Sequence, residues 1–325
     1  MKKKLTIHFL QNFKLGLKVV TKHNLICWFF FSLVISNTEA DNLEKGINKN
    51  LSVIIDGGKV PVRYYDFSVE GSKNTSSDVI LFIHGFRSNA RYFYPIASAF
   101  SQVGYRSFSL ELPGYDKSTW GTTTELLNYE LAAYGRYVAS SIEAISGAED
   151  IDLKRLTIWG HSMGSSIVYR AIVDHPNLFS CLKSIVFEAP AFANSITKVS
   201  KFAIWLSTKI LKLGDRHDSS SERWLKWLGI GGSTDNYQVF VQNAYSMLKP
   251  ENNIKQEVLD RLGLEKVFWL WSAKDIAVYS PPPDFIPNEQ SIQVFVGHSI
   301  SHRAPKKICD AILGWHSRTH VEVSQ

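Results

Sequence analysis

The sequence predicts an α/β fold in which mostly parallel strands are covered by helices on both faces. Short apolar segments alternate with helical ones, a serine stands between glycines directly after one of these segments, and 325 residues suffice for a large core. Apolar strands that alternate with helices are typical of parallel sheets buried on both sides. The reactive side chains of such sheets gather in loops at the carboxyl ends of the strands.

The first expected element is a hairpin, with strands at Leu51 to Ile55 and Val60 to Phe67 around the turn DGGK. Six further strands are expected at VILFIH (79–84), YRSFSLEL (105–112), LTIW (156–159), KSIVFEA (183–189), KVFWLW (266–271) and SIQVFV (291–296). Helices are expected near 92–103, 124–146, from Ser165 to about DHP, and from about Pro305 to His316.

Residues 1–40 are predicted to form a signal peptide with a long basic first region. Six lysines precede an apolar run from Leu25 to Ile35, and the small residue Ala40 ends the segment. Cleavage after Ala40 would export residues 41–325 to a periplasmic or extracellular compartment. The run is shorter than the ~20 residues that span a bilayer. An uncleaved N-terminal membrane anchor is the alternative.

Charge and cysteine content argue against two classes of protein. The net charge is +6, but residues 1–40 hold six lysines against one glutamate, so the remainder is nearly neutral. Without a basic stripe and interleaved aromatic residues, nucleic-acid binding is not expected. Cys181 and Cys309 are too few for a disulfide framework. Both lie among apolar residues and are expected to be buried thiols, with a single bridge left open.

The serine between glycines is Ser162, in the stretch GHSMG. Gly160 and Gly164 would mark a strand-to-helix turn so tight that side chains there would clash. This G-x-S-x-G pattern is typical of a nucleophile elbow, in which the N–H of Met163 points to the reaction centre from a helix N-terminus. The alternative is a glycine-rich loop whose serine only caps the helix.

A nucleophilic serine needs an acid and a base, which follow it in that order in proteins with this elbow. Asp275 comes four residues after Trp271, just beyond a predicted strand, and is the favoured acid. Glu188, at the end of the preceding strand, is the rival.

His298 is the predicted base because it directly follows the last strand, where Gly297 allows a sharp turn. His302 lies four residues further on, but a metal pair would need a helix under both histidines and another ligand. The sequence indicates neither. His302, His316 and His320 are expected at the surface.

About seventy-five residues separate the strand that ends near Ala189 from the one that starts near Lys266, which is far more than an ordinary connection. They are predicted to form a cap, within which one helix is amphipathic and basic. Its apolar stripe comprises Val199, Phe202, Ala203, Leu206, Ile210 and Leu213, with lysines opposite, and Trp224 and Trp227 follow. Phe202, Trp205 and Leu206 are the candidate substrate-binding residues. Three alternatives are open for the surface that the stripe contacts: the active-site cleft, a lipid surface or the core.

Residues 51 to 316 resemble the serine-hydrolase branch of the α/β-hydrolases that contains monoacylglycerol lipases, lysophospholipases and S33-type aminopeptidases. The resemblance is carried by FIHGFRSNARYFYPIASAFSQVGYRSFSLELPGYDKS, GHSMG, IVFEAPAF and WLWSAKD. PGYDKS lacks a glycine usual in the family, and Ser165 replaces a third glycine after the elbow. The resemblance implies an eight-stranded sheet with a helical cap at about 191–263. It also implies a second oxyanion donor at the N–H of Phe86, in a loop shaped by His84 and Gly85.

The expected function is hydrolysis of lipid-like carboxylic esters. His298 would take the proton of Ser162, and Asp275 would orient the imidazole. No metal or organic cofactor is expected, and the expected partner is a small-molecule or lipid ester, with peripheral membrane contact through the cap. A serine peptidase or amidase, and a catalytically silent binding protein, are the alternatives.

Overall fold

The computed structural model describes residues 46–68, 78–116, 118, 129–198, 200–201, 204–205 and 237–322. The predictions for residues 1–40, for Phe202 and Leu206, and for the side chain of His320 lie outside these residues. Among the described residues, no helix has both the length and the apolar character needed to span a bilayer.

Eight strands form one sheet. They are β1 Ile47–Ile55, β2 Gly58–Asp66, β3 Val79–Ile83, β4 Arg106–Glu111, β5 Leu156–His161, β6 Ser184–Glu188, β7 Val267–Ser272 and β8 Ser291–Val294. Their order in the sheet is β1-β2-β4-β3-β5-β6-β7-β8. The pairs β1/β2 and β2/β4 are antiparallel, and every other neighbouring pair is parallel. The predicted eight-stranded, mostly parallel sheet is therefore confirmed.

The hairpin at the sheet edge has a two-residue turn. Asp56 and Gly57 both have positive φ, 50° and 78°, and Ile55 pairs with Gly58. Two positive φ values in a two-residue loop are typical of a type I′ turn, for which Asp-Gly is a preferred sequence. The first strand starts four residues before the predicted one, because β2 is long enough to pair with Ile47 as well.

Helices cover the sheet between the strands. They are α1 Tyr94–Ser101, α2 Leu131–Ala148, α3 Met163–Asp174, α4 Pro176–Ser180, α5 Tyr237–Met247, α6 Gln256–Asp260, α7 Ile300–Arg303 and α8 Pro305–Glu322. Short 3₁₀ helices lie at Ala90–Phe93, Leu153–Arg155, Pro250–Asn252, Leu264–Lys266 and Asn288–Gln290. The expected helix at 92–103 is a 3₁₀ turn followed by α1, and the Asn89 side chain caps that turn by accepting from the N–H of Arg91 at 3.0 Å.

Two apolar cores lie on opposite faces of the sheet. On β3, Val79, Leu81 and Ile83 belong to the core that contains residues of α2 and α3. Ile80 and Phe82 belong to the core that contains residues of α1 and α8. Since successive side chains of a strand point to opposite faces, both faces of β3 are buried, as its unbroken apolar sequence predicts.

Helix α5 is part of the predicted cap and rests on α2. The hydroxyl of Ser246 in α5 accepts from the N–H of Leu131 at 2.9 Å. Near the start of the cap, Ile196 forms a β-bridge with Val278. The described part of the cap is thus bonded both to a helix of the sheet layer and to the loop after β7.

The prediction that His316 is a surface residue is wrong. Helix α8 continues beyond it, and the side chain lies on the buried face, with 5% exposure. Its Nε2 lies 2.9 Å from the Ser184 hydroxyl, and its Nδ1 lies 3.3 Å from the Tyr105 hydroxyl.

The expectation of two buried thiols is also half wrong. Cys309 is buried, but Cys181 is exposed, and both are free. Cys181 directly follows the short helix α4, and its Sγ donates to the carbonyl of Asn177 at 3.3 Å. Apolar neighbours in the sequence therefore did not predict burial at a helix end.

Candidate active site

Ser162 occupies the turn between β5 and α3 with an unusual backbone conformation, φ 55° and ψ −119°. Glycines on either side allow it. A Cβ at Gly160 would lie 2.6 Å from the Cα of Ser165, and one at Gly164 would overlap the carbonyl oxygen of Ile83. A positive φ at a serine costs on the order of 1–3 kcal/mol, which the surrounding structure must offset.

Three of the predicted side chains form one chain of hydrogen bonds. His298 Nε2 lies 2.9 Å from the Ser162 hydroxyl. His298 Nδ1 lies 2.6 Å from Asp275 Oδ2. A carboxylate can only accept, so Nδ1 carries a proton and Nε2 is left to accept from the serine. The structure thus brings Ser162, His298 and Asp275 together, although they lie in three separate loops.

Asp275 is held from its own loop. Its Oδ1 accepts from the N–H of Ala277 at 2.9 Å and of Val278 at 3.0 Å. Its side chain has no exposed surface. With Oδ1 fixed by two backbone donors, Oδ2 is oriented towards the imidazole. Gly297, with φ 82°, forms the predicted turn that brings His298 back over the sheet edge.

Opposing effects act on the pKa of His298. Burial lowers it, but the charge and hydrogen bond of Asp275, together with the charge of Glu188, outweigh burial and raise it above its ordinary value. His161 lies beside it, with ring centroids 4.9 Å apart. Burial holds the pKa of His161 well below its ordinary value, so this neighbour is neutral near neutral pH.

The loop after β3 lies against the elbow. A Cβ at Gly85 would lie 3.0 Å from Ser162 Cβ, so glycine permits this approach. His84 Nδ1 lies 2.9 Å from the carbonyl of Gly85, within the loop that the resemblance implied. Phe86 follows directly, and Met163 is the first residue of α3, where backbone N–H groups lack partners within the helix. That their two N–H groups form an oxyanion hole stays a prediction.

Ser165, at a position where the resemblance implied a glycine, is accommodated by hydrogen bonds. Its buried hydroxyl donates to the carbonyl of Gly160 at 2.6 Å and approaches the carbonyl of Glu188 at 3.3 Å. The substitution therefore ties α3 to β5 and β6.

Glu188, the rival acid, does not contact His298 by a hydrogen bond. It is fully buried, and its carboxylate accepts from Trp159 Nε1 and from the backbone N–H of Ser301, each at 2.8 Å. Sequence reasoning missed this arrangement. The available signal was a carboxylate at the end of an otherwise apolar strand, which requires buried donors.

His302 is exposed, as predicted, and stacks on Tyr92 with ring centroids 5.8 Å apart. Trp205, one of the three candidate substrate-binding residues, has half of its surface exposed. The structure describes neither Phe202 nor Leu206.

Comparisons with known proteins agree with this architecture. A family model described as alpha/beta hydrolase fold matches residues 78–205. No curated protein matches the sequence.

Solved structures share the fold at low identity. An esterase from Exiguobacterium antarcticum is 16% identical, with a TM-score of 0.53 over 83% of this chain and 100% of that one. An esterase from Thermogutta terrifontis is 14% identical, with a TM-score of 0.55 over 84% and 99%. A bacterial membrane phospholipase A is 16% identical, with a TM-score of 0.51 over 98% and 99%. Together with the sheet order and the elbow between β5 and α3, these matches show that the chain has the α/β-hydrolase fold.

Proposed function

We propose that the protein is a serine hydrolase that cleaves carboxylic esters through an acyl-enzyme on Ser162. The observation that carries the proposal is the unbroken chain of hydrogen bonds from Ser162 through His298 to Asp275. The esterases that share the fold support it. The elbow supports it as well, because a strained backbone that holds one hydroxyl at the end of a strand, within reach of a histidine, is typical of a nucleophile.

In the proposed reaction, His298 Nε2 takes the proton of the Ser162 hydroxyl as Oγ attacks the ester carbonyl carbon. Asp275 stabilises the resulting imidazolium. The N–H groups of Phe86 and Met163 stabilise the oxyanion. The imidazolium returns the proton to the leaving alcohol as the carbon–oxygen bond breaks. Water, deprotonated by His298, then attacks the acyl group and releases the acid and Ser162.

We infer further that the substrate is a lipid-like ester, such as a monoacylglycerol or a lysophospholipid. Large apolar side chains are exposed on the loops that carry the acid and the base. Ile276, next to Asp275, is 52% exposed, Tyr279 is 56% exposed, and Phe295, three residues before His298, is 61% exposed. Exposed apolar side chains on the loops of both the proposed acid and the proposed base favour an apolar ligand.

A series of p-nitrophenyl esters of increasing acyl length tests the substrate class. Each buried methylene contributes about 0.8 kcal/mol, so kcat/KM should rise about fourfold per methylene from acetate towards medium chains. Phe295→Asp and Tyr279→Asp should flatten this rise while acetate hydrolysis changes little. Ile54→Asp is the matched control, because Ile54 is 67% exposed on β1, at the far edge of the sheet.

Two results would count against the substrate class. Efficiency that stays level or falls beyond acetate in the unmodified protein would exclude a lipid-like acyl chain. Faster cleavage of aminoacyl amides than of any ester in the series would favour a peptidase instead.

A further inference from the structure

Glu188 is a buried carboxylate beside the proposed active site that takes no part in the proton relay. Its side chain has no exposure to solvent. An ionised carboxylate is costly to bury unless hydrogen-bond donors surround it. Here the neighbouring groups donate: Trp159 Nε1 and the N–H of Ser301 at 2.8 Å, and the Tyr92 hydroxyl at 3.4 Å. These donors stabilise the charged form and oppose burial, which raises the pKa of Glu188 above its ordinary value.

The side chain of Glu188 bonds the segment that carries the base. Ser301 lies three residues after His298, at the start of α7. Its N–H donates to Glu188 Oε1, and the N–H of Ile300 donates to the carbonyl of His298 at 3.1 Å. The segment from His298 to Ser301 is therefore bonded to the end of β6 by one carboxylate oxygen.

The backbone of Glu188 bonds the segment that carries the nucleophile. Its carbonyl accepts from the N–H of Ser162 at 2.8 Å and lies 3.3 Å from the Ser165 hydroxyl. Ser162 and His298 belong to loops that are far apart in the sequence, and 136 positions separate the two residues. One residue thus contacts both loops, by its carbonyl on one side and its carboxylate on the other.

We propose that Glu188 is a positioning residue, which keeps the Ser162 hydroxyl and His298 Nε2 at hydrogen-bonding distance and places a second negative charge near the imidazole. The expected effect on kcat rests on the proposed function. Displacing a reacting group by 1 Å can cost about 100-fold in rate. His161, next to Ser162, also contacts the segment of the base, with its Nε2 3.2 Å from the carbonyl of His298, but among the described residues only Glu188 adds a carboxylate to the link.

The charge of Glu188 affects the pKa of His298, which a residue with a purely structural role would leave unchanged. In the part of the chain that the structure describes, the charged or titratable groups that act on His298 are Asp275 from the loop after β7, Glu188 from β6 and the neutral His161 from β5. The charge of Glu188 raises the pKa of His298. Removing it must therefore lower that pKa, whereas loosening the packing elsewhere would not.

Glu188→Gln in the full chain tests the proposal by two measurements. NMR titration of protein labelled with ¹⁵N-histidine, assigned by His298→Ala, should show a lower pKa for His298. Hydrolysis of a p-nitrophenyl ester should show kcat reduced about 10- to 100-fold, with KM changed less than about threefold. Glu149→Gln is the matched control, because Glu149 is a poorly exposed carboxylate that bonds Lys49 and Arg106 near the far edge of the sheet. It should leave the pKa of His298 and kcat unchanged.

Glu188→Asp keeps the charge but shortens the side chain by one methylene. This variant tests the proposal even if Glu188→Gln does not fold. It should keep the pKa of His298 while kcat still falls, because the shorter chain cannot reach both Trp159 and Ser301. Wild-type kcat in this variant, or an unchanged pKa and kcat in Glu188→Gln, would overturn the inference. The same would follow if Glu149→Gln reproduced both effects. The titration needs no substrate, so it decides the role of Glu188 separately from any failure of the proposed hydrolysis.

Discussion

At the scale of single residues, Ser162 shows how composition, backbone and chemistry are connected. Its φ of 55° belongs to a turn so tight that Gly160 and Gly164 have no room for a Cβ, and in this turn its hydroxyl lies 2.9 Å from His298 Nε2. The acid and the base come from loops after other strands, and parallel strands bring those loops to one edge. The positions of Asp275 and His298 in the sequence indicated that they meet, because β7 and β8 end only three and four residues before them.

Replacing members of the relay should remove turnover without unfolding the protein. Ser162→Ala and His298→Ala should each lower kcat/KM for a p-nitrophenyl ester by about 10⁴-fold or more, since such groups act as a unit. Asp275→Asn should also be severe. Thermal unfolding of each variant checks that the fold persists. His302→Ala, which changes an exposed histidine four residues from His298, is the control and should keep most of the activity.

The pH dependence follows from the charge state of His298. Only the neutral imidazole can take the serine proton, so kcat/KM should fall as the pH drops through the pKa of His298. Because that pKa is raised from 6.5, the acidic limb should lie above pH 6.5. Asp275→Asn removes the largest of the effects that raise it, so its residual activity should show the limb at lower pH. A limb that moves upwards in this variant would contradict the assignment of the acid.

At the scale of elements, the elbow depends on close contact between β3, β5 and α3. Gly164 lies where a Cβ would overlap the carbonyl oxygen of Ile83 and come within 2.7 Å of that of His84. Both obstacles are backbone atoms of a central strand and its following loop, which cannot move without disturbing the sheet. The glycine is therefore needed for packing as well as for the turn.

Gly164→Ala should lower the free energy of unfolding by about 3 kcal/mol or more, in the range of severe core substitutions. Gly147→Ala is the matched control: Gly147 lies in α2, and a Cβ there would meet nothing within 4 Å. It should stabilise the protein by about 0.5–1 kcal/mol, because alanine loses less backbone entropy in a helix. Urea unfolding curves measure both changes. Equal stability of the two variants would show that the elbow is not tightly packed.

Sequence patterns predicted the strands better than they predicted the contacts of polar side chains. The run VILFI is apolar at every position, and both of its faces are buried. The burial of Glu188 and His316 was harder to predict, because it depends on partners from distant segments. Ser301 is the partner of Glu188, and Ser184 and Tyr105 are the partners of His316. No local pattern encodes such partners. The helix at 90–101 changes type because Asn89 caps a 3₁₀ turn ahead of α1.

At the scale of the whole molecule, the two cores on opposite sides of the sheet support one reactive edge. Strands β3, β5, β6, β7 and β8 are parallel, so their carboxyl ends lie together. Helices α2 and α3 pack on one face, and α1 and α8 pack on the other. This arrangement leaves the loops after the strands free to carry the proposed chemistry.

Thiol reactivity reports on the integrity of these cores. Cys309 lies in α8, and burial raises the pKa of its thiol to about 11, so little thiolate forms at neutral pH. Cys181 is exposed. In a Cys27→Ser background, Ellman's reagent should label one thiol in the native protein and two after unfolding in guanidinium. Rapid reaction of Cys309 in the native state would mean that α8 does not cover the sheet as described.

The most direct test of the proposed chemistry is labelling by a fluorophosphonate, which reacts only with an activated serine. The unmodified protein should gain one phosphonyl group, and peptide mass spectrometry should locate it on Ser162. Ser162→Ala should not be labelled, and His298→Ala should be labelled at least 10³-fold more slowly, because the proton acceptor is missing. A folded, unmodified protein that resists the reagent, or that is labelled at another residue, would contradict the account.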